Sequence, residues 1–272
     1  MARESGQGAG RRAGDRGRYG RLNRERVLAT ALEVVDREGL GALSMRRLGA
    51  ELGVEAMALY RYAAGKEDLL DGLVEALYLE LEAVLAADEA GPPAANASRP
   101  SAAWRTELHR IARATYSVAL HHPHAVPLLA TRMLAVPLAR RPAAVLRDHE
   151  RVLTLLRQGG LEDAAAAKTH RAYTAWLLGY VFVELRAMVD APDESDPAFR
   201  LGLHRMPPQE LPRLRAAAAD LAERQGTQGL ATGLDALLDR CVPDGAESPT
   251  AGTGPDDDSP TAGKGPDDGP SR

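Results

Sequence analysis

The stretch from Leu43 to Tyr62 constrains this chain more than any other. Ser44 is a side chain suited to cap a helix whose first residue is Met45, and Leu43 and Leu48 hold the two positions of a hydrophobic staple. The helix this predicts runs to Leu52, after which Gly53 takes the left-handed backbone that a sharp turn needs, and Val54 enters the core. A second short helix follows from Glu55 to Tyr62. Two helices joined by so short a turn must cross closely, and Gly49, one turn before Gly53, leaves room for the crossing. Leu48, Val54 and Leu59 then fill the inside. That spacing is the spacing of a helix-turn-helix, whose second helix lies in the major groove of DNA. The competing reading is an ordinary α-hairpin with a basic solvated face, which leaves the core spacing, the staple and the local charge as coincidences.

If the second helix enters a groove, its outward residues are Ala56, Met57, Tyr60 and Tyr62. Small Ala56 and flexible Met57 permit close approach and suit thymine methyls, while the two tyrosines offer hydroxyls to phosphate or base edges. Arg46, early in the preceding helix, can serve as a guanine-reading fork. Lys66, at the start of the next helix, adds a positive charge beside amides aimed at a phosphate.

Charge distribution agrees with an anionic partner approached from one side. The chain of 272 residues carries a net charge of -4. Even so, residues 1–66 hold thirteen Lys/Arg against eight Asp/Glu, and residues 243–272 hold two against seven. Residues 1–20 read as a disordered basic arm, Gly- and Arg-rich without periodicity. At the other end "SPTAGTGPDDD" is followed directly by "SPTAGKGPDDG", an imperfect repeat with nothing to bury, so residues 243–272 read as a disordered acidic tail. No apolar stretch opens the sequence as a signal peptide would, and no window approaches eighteen consecutive apolar residues. Cys241 is the single cysteine, so nothing asks for an oxidising compartment, and the expected location is the cytoplasm, at the nucleoid.

Between arm and tail the pattern is helical throughout. Aromatic residues make up only 4%, and Ala and Leu dominate over strand-type runs of β-branched residues. Val27, Leu28, Ala31, Leu32 and Val35 define a first helix closed by Gly39. Further helices are expected over 67–87, 101–121, 124–134, 142–158, 161–188, 209–225 and 229–241, with breaks at Gly and Pro. The expected fold is all-α, with a three-helix DNA-binding unit over 21–68 and a helical bundle over 69–242.

The segment "LNRERVLATALEVVDREGLGALSMRRLGAELGVEAMALYRYAAGKEDLLDGLVEAL", residues 22–77, resembles the N-terminal domain of the TetR family of bacterial transcriptional repressors. "LSMRRLGAELGV" and "LYRYAAGKEDLL" carry the likeness, and "GLDALLDR" resembles the end of the tetracycline-repressor type of C-terminal domain. The resemblance implies a homodimer whose second, all-helical domain binds a small molecule and thereby changes DNA affinity. It places Ser44, Met45, Arg46, Ala56, Met57, Tyr60, Tyr62 and Lys66 where members contact operator DNA. Ala56 and Met57 stand where better-known relatives have Gln and Pro, and Tyr62 where a His is common, so the operator sequence does not transfer. It also implies a four-helix dimer interface made by helix 161–188 and the helix Leu230–Cys241 of each copy.

The second unit is larger than a DNA clamp needs, which points to a sensor. Its candidate ligand-binding residues are Trp104, Thr115, Leu128, Thr131, Arg132, Arg151, His170, Tyr173 and Thr174, with His170 and Thr174 one turn apart on one helix face. Within "AVPLLATRM", Thr131 and Arg132 match tetracycline repressors, but Leu128 stands where they carry a metal-ligating His. A mainly apolar effector bound without a metal is therefore expected. His121-His122-Pro123-His124 lacks the helical i, i+4 ligand spacing, so no metal or cofactor is assigned. No nucleophile elbow, phosphate loop, HExxH or dinucleotide fingerprint is present, so the chain is not expected to be an enzyme. The function these readings imply is a ligand-released, dimeric repressor. The alternatives are a constitutive architectural DNA binder or an enzyme carrying a helix-turn-helix.

Overall fold

The computed structural model describes residues 22–89, 103–190 and 209–241, with scattered positions between 202 and 207. The basic arm over 1–20 and the acidic tail over 243–272 lie outside the described residues. Among the described residues every regular element is helical.

Three helices come first: α1 (Arg24–Glu38), α2 (Met45–Leu52) and α3 (Ala56–Leu59). Asn23 caps α1, its side chain accepting from the Arg26 amide at 2.7 Å, and Ser44 caps α2 by accepting from the Arg47 amide at 3.1 Å. Leu43, Leu48 and Leu59 are fully buried beneath the crossing. Gly53 adopts φ 66° and ψ 32°, the left-handed turn expected between the two helices. Gly49 faces Val54 so closely that a Cβ there would lie 2.8 Å from the Val54 carbonyl oxygen. The second helix is shorter than the 55–62 expected. Its final turn tightens to a bond from the Tyr62 amide to the Leu59 carbonyl, and the Tyr62 hydroxyl is tied to the Leu22 carbonyl at 2.9 Å.

A long helix, α4 (Lys66–Glu89), then runs through the expected boundary at 68/69. Leu69, Leu73, Leu77, Leu81 and Leu85 form its buried stripe. It is followed by α5 (Ala103–His121), α6 (Val126–Ala135), α7 (Ala143–Gln158) and α8 (Asp163–Asp190). The stretch 209–225, expected as one helix, is two single turns, α9 (Pro212–Ala216) and α10 (Ala218–Ala222), broken at Ala217. Among the described residues there only Ala218 is buried, and these show no apolar stripe of the kind that holds one continuous helix. The last helix, α11 (Gly226–Cys241), buries Leu230, Leu234 and Leu238 against α5 and α8. Gly233 sits on the ring of Trp176, and the Tyr180 hydroxyl donates to the Gly226 carbonyl at 2.6 Å, so α11 lies tight along α8.

Polar contacts fasten α1 to the bundle. His122, just past α5, places Nδ1 2.7 Å from Asp36 of α1 and Nε2 2.8 Å from Glu80 of α4. His124 Nδ1 lies 3.0 Å from the Asp36 carbonyl oxygen. The histidine run is thus a clamp between α1, α4 and α5, and no group of three or more His, Cys, Asp or Glu arranged to hold a metal occurs among the described residues. Burial disfavours the charged imidazole of His122, but the two carboxylates outweigh it and raise its pKa above the ordinary 6.5.

Two outcomes follow for stability. His122→Ala is expected to cost about 1–2 kcal/mol. Because the folded-state pKa is raised, that contribution is complete below pH 6.5, the unfolded value, and is lost as pH rises through the folded value. Melting curves of wild type and variant will therefore differ at pH 6 and converge at alkaline pH. Gly49→Ala, a change that stabilises most exposed helices, is expected instead to cost about 1–3 kcal/mol, because the carbonyl it meets is backbone and cannot swing aside. A melting temperature at or above the wild type would contradict the tight crossing.

Candidate nucleic-acid interface and effector cavity

The exposed side of the helix-turn-helix is built by elimination. Arg46 and Arg47 are adjacent, yet only one is available. Arg47 is bound by Glu38 at 2.6 Å and Glu51 at 2.7 Å, and its bonds, with those of Arg37, hold the Glu38 carboxyl down at about 2. Arg46 points to solvent, and no ion pair to it occurs among the described residues. Met57 is 73% exposed and Tyr60 48%, large side chains that burial does not explain. Arg61 and Lys66 are exposed on the same stretch. Arg61 was not singled out from sequence; its signal is a basic residue next to the outward Tyr60.

Two expected contacts need correction. Met45 is only 9% exposed, packed into the core because the first residue of α2 faces α1 rather than solvent. Tyr62 is half-buried with its hydroxyl already donated to Leu22, so it braces the head. Lys66 is exposed at the first residue of α4, and just before the helix the Ala64 amide donates to Asp68 at 2.8 Å. Ser44 is exposed with its hydroxyl serving as the cap, and Ala56 is half-buried with its backbone against Gly49.

In the bundle, a cavity of about 740 Å³ lies along α8. His170, Thr174, Leu178 and Phe182 of α8 line it at helical spacing, with Arg171 and Ala175 beside them. Ala130 of α6, Arg141 from the α6–α7 connection and His149 of α7 complete the wall. Arg141 donates through Nε to the Val136 carbonyl at 3.2 Å and through Nη1 to His149 Nε2 at 3.0 Å. His149 Nδ1 lies 3.1 Å from His170 Nε2. Burial first, then the neighbouring positive groups, pushes His149 down to about 4 and lowers His170 as well, so both imidazoles are neutral at pH 7.

Of the ligand residues expected from sequence, His170 and Thr174 line this cavity and seven do not. Trp104 is buried on Gly159, with Arg105 over its ring at 5.2 Å. Thr115 and Thr131 each return their hydroxyl to a carbonyl one turn back, Ile111 and Pro127. Leu128 is buried in the core. Arg132 is taken by Asp71 and Glu67 of α4, lining a small separate crevice. Arg151 lies near the half-buried Asp148, whose carboxyl desolvation pushes up to about 6. Tyr173 is buried, with no partner for its hydroxyl among the described residues. Arg141, His149, Arg171, Leu178, Phe182 and Ala130 were missed. His149 left a readable trace, a histidine on the apolar stripe of Val145, Val152 and Leu156.

The family model described as "Tetracyclin repressor-like, C-terminal domain" matches residues 97–239, and that described as "Bacterial regulatory proteins, tetR family" matches residues 27–73. The chain is 37% identical over 143 residues to the HTH-type transcriptional repressor DrrR1 of Streptomyces coeruleorubidus, covering 52% of this chain and 46% of that one. It thus spans about half the length of that relative. A possible TetR family transcriptional regulator from Streptomyces coelicolor A3(2) superposes with a TM-score of 0.62 at 25% identity, over 80% of this chain and 98% of that one. The Streptomyces coelicolor TetR family protein ActR, solved in complex with actinorhodin, shares the fold with a TM-score of 0.61 at 23% identity, over 81% and 95%. Taken with the helix-turn-helix and the cavity-bearing bundle, these matches place the chain in the TetR family of bacterial regulatory proteins.

Proposed function

We propose that this protein is a cytoplasmic, non-enzymatic transcriptional repressor that binds a two-fold symmetric operator as a homodimer and leaves it when a small molecule fills the cavity along α8. Residues 21–68 read DNA through Arg46, Met57, Tyr60 and Lys66, with Arg61 beside them, and residues 69–242 sense the effector. The observation that carries this reading is the coexistence, in one chain, of a head with large exposed side chains and a cavity of about 740 Å³ in the bundle. The likeness to DrrR1, described as a repressor, and to ActR, solved with a bound organic molecule, supports the same reading. A constitutive binder has no use for the cavity. Among the described residues no helix is long and apolar enough to cross a membrane, in keeping with a nucleoid site of action.

Helix α4 is the lever. Ala130 lines the cavity, and two residues on, Arg132 grips Glu67 and Asp71 at the head end of α4. A ligand that moves α6 pulls on α4, and α4 carries Lys66 and the His122 clamp to α1. Binding must favour the conformer whose reading heads are wrongly spaced for DNA, since a ligand with equal affinity for both conformers shifts nothing.

Genomic footprinting with purified protein tests the function. Protected sites are expected to be two-fold symmetric, with half-sites one helical turn or a multiple apart. A minimal asymmetric site filled by one copy would refute the dimer reading. On such a site, Lys66→Ala is expected to weaken every DNA sequence alike and make the salt slope shallower by about one unit. Arg46→Ala is expected to cost about 1–3 kcal/mol and to relax preference at one base position. Reversal of the two patterns would exchange the roles of phosphate anchor and base reader.

A further inference from the structure

The polar wall of the cavity has a direction. A guanidinium only donates, so the contact from Arg141 makes His149 Nε2 an acceptor. A neutral His149 then carries its proton on Nδ1, and that proton goes to His170 Nε2. His170 in turn carries its own proton on Nδ1. The chain from Arg141 therefore ends on an N–H of a residue that lines the cavity, and no described residue accepts it. The same geometry forbids the reverse order, because a donating His170 Nε2 would leave His149 without any proton. Arg171 lines the cavity too, exposed and without a described ion-pair partner. Among the described residues no Asp or Glu lines it, while Ala130, Ala172, Ala175, Leu178 and Phe182 give it an apolar wall.

A cavity that offers two guanidiniums and a terminal N–H, and no negatively charged acceptor among the described residues, discriminates among ligands by sign. An ammonium meets two like charges and, among the described lining residues, no carboxylate. A neutral apolar molecule leaves the His170 N–H unsatisfied once water is expelled, which has a cost. An oxyanion satisfies it and gains from both arginines. Resting on the effector cavity proposed above, we infer that the effector is an organic acid, an apolar or aromatic body carrying a carboxylate or an acidic phenol or enol, whose oxygen accepts from His170 and is drawn by Arg141 and Arg171. The apolar body lies on Leu178 and Phe182.

The test uses the full-length protein and two fluorescent probes that share an aromatic body and differ in one sulfonate, 1-anilinonaphthalene-8-sulfonate and N-phenyl-1-naphthylamine. Wild type is expected to bind the sulfonate roughly tenfold or more tightly than the neutral probe. Leu178→Trp, which fills the cavity, is expected to remove both signals. Arg141→Gln and His170→Phe are expected to bring the sulfonate down to the affinity of the neutral probe and leave the neutral probe unchanged. Arg171→Gln, at an exposed position, is expected to reduce the preference in part and serves if either interior variant fails to fold. Equal affinity of both probes in wild type, with both lost in Leu178→Trp, overturns the acid preference while leaving the cavity as the effector site. A sulfonate preference that none of the three polar variants reduces overturns the assignment to these residues. Signals absent from wild type, or surviving Leu178→Trp, overturn the cavity reading and this inference with it.

Discussion

The leucine stripe of α4 is the contact on which the other parts rest. Leu69, Leu73, Leu77, Leu81 and Leu85 recur every four residues along one helix and are all nearly inaccessible. Each contributes on the order of 1.5–3 kcal/mol when removed from water, so one helix supplies a large share of the stability that a bundle of this size retains. The stripe faces α1 at its start and α5 and α7 farther on, so the core of the reading head and the core of the bundle are continuous. Gly72 permits this: a Cβ there would meet the Leu28 side chain at 2.5 Å, so α1 approaches α4 as closely as two backbones with one leucine between them allow.

Charged side chains then decide how the packed helices are tied. Arg132 holds α6 to α4, Arg147 holds α7 to Glu82 of α4 at 2.7 Å, and His122 holds α1 and α4 together. Each pair is partly exposed and contributes little alone. Together they fasten α1, α6 and α7 to α4, the helix that runs from the bundle to the head. Neutralisation also sets what is left for a partner. Arg47 is consumed by Glu38 and Glu51, and Arg46 remains, so the two neighbours have opposite uses despite identical chemistry.

A similar economy governs the cavity. Burial keeps both histidines neutral, and neutrality is what lets a single arginine impose one proton order on the chain that ends at His170. An acidic residue beside them would form an internal ion pair with the same groups, and the wall would then offer a ligand no electrostatic preference.

What the sequence by itself determined is whatever depends on neighbours within a turn or two: the Ser44 cap, the left-handed Gly53, the Leu48–Val54–Leu59 crossing and nearly every helix start. Those follow from local hydrogen bonding and a 3.6-residue period, which are written in adjacent letters. The outward Met57 and Tyr60 were legible for the same reason, as positions left over once the inward ones are assigned. Only the tertiary structure decided the occupancy of long side chains. Met45, Tyr62 and Arg132 look available in the sequence, and each is used by a partner far along the chain or buried against another helix. The cavity wall was equally hidden, because Arg141, His149 and His170 come from separate elements and meet only when α7 and α8 pack. A side chain with several rotatable bonds reaches partners that linear spacing does not encode, so packing assigned most of the cavity wall and left to sequence the His170–Thr174 face.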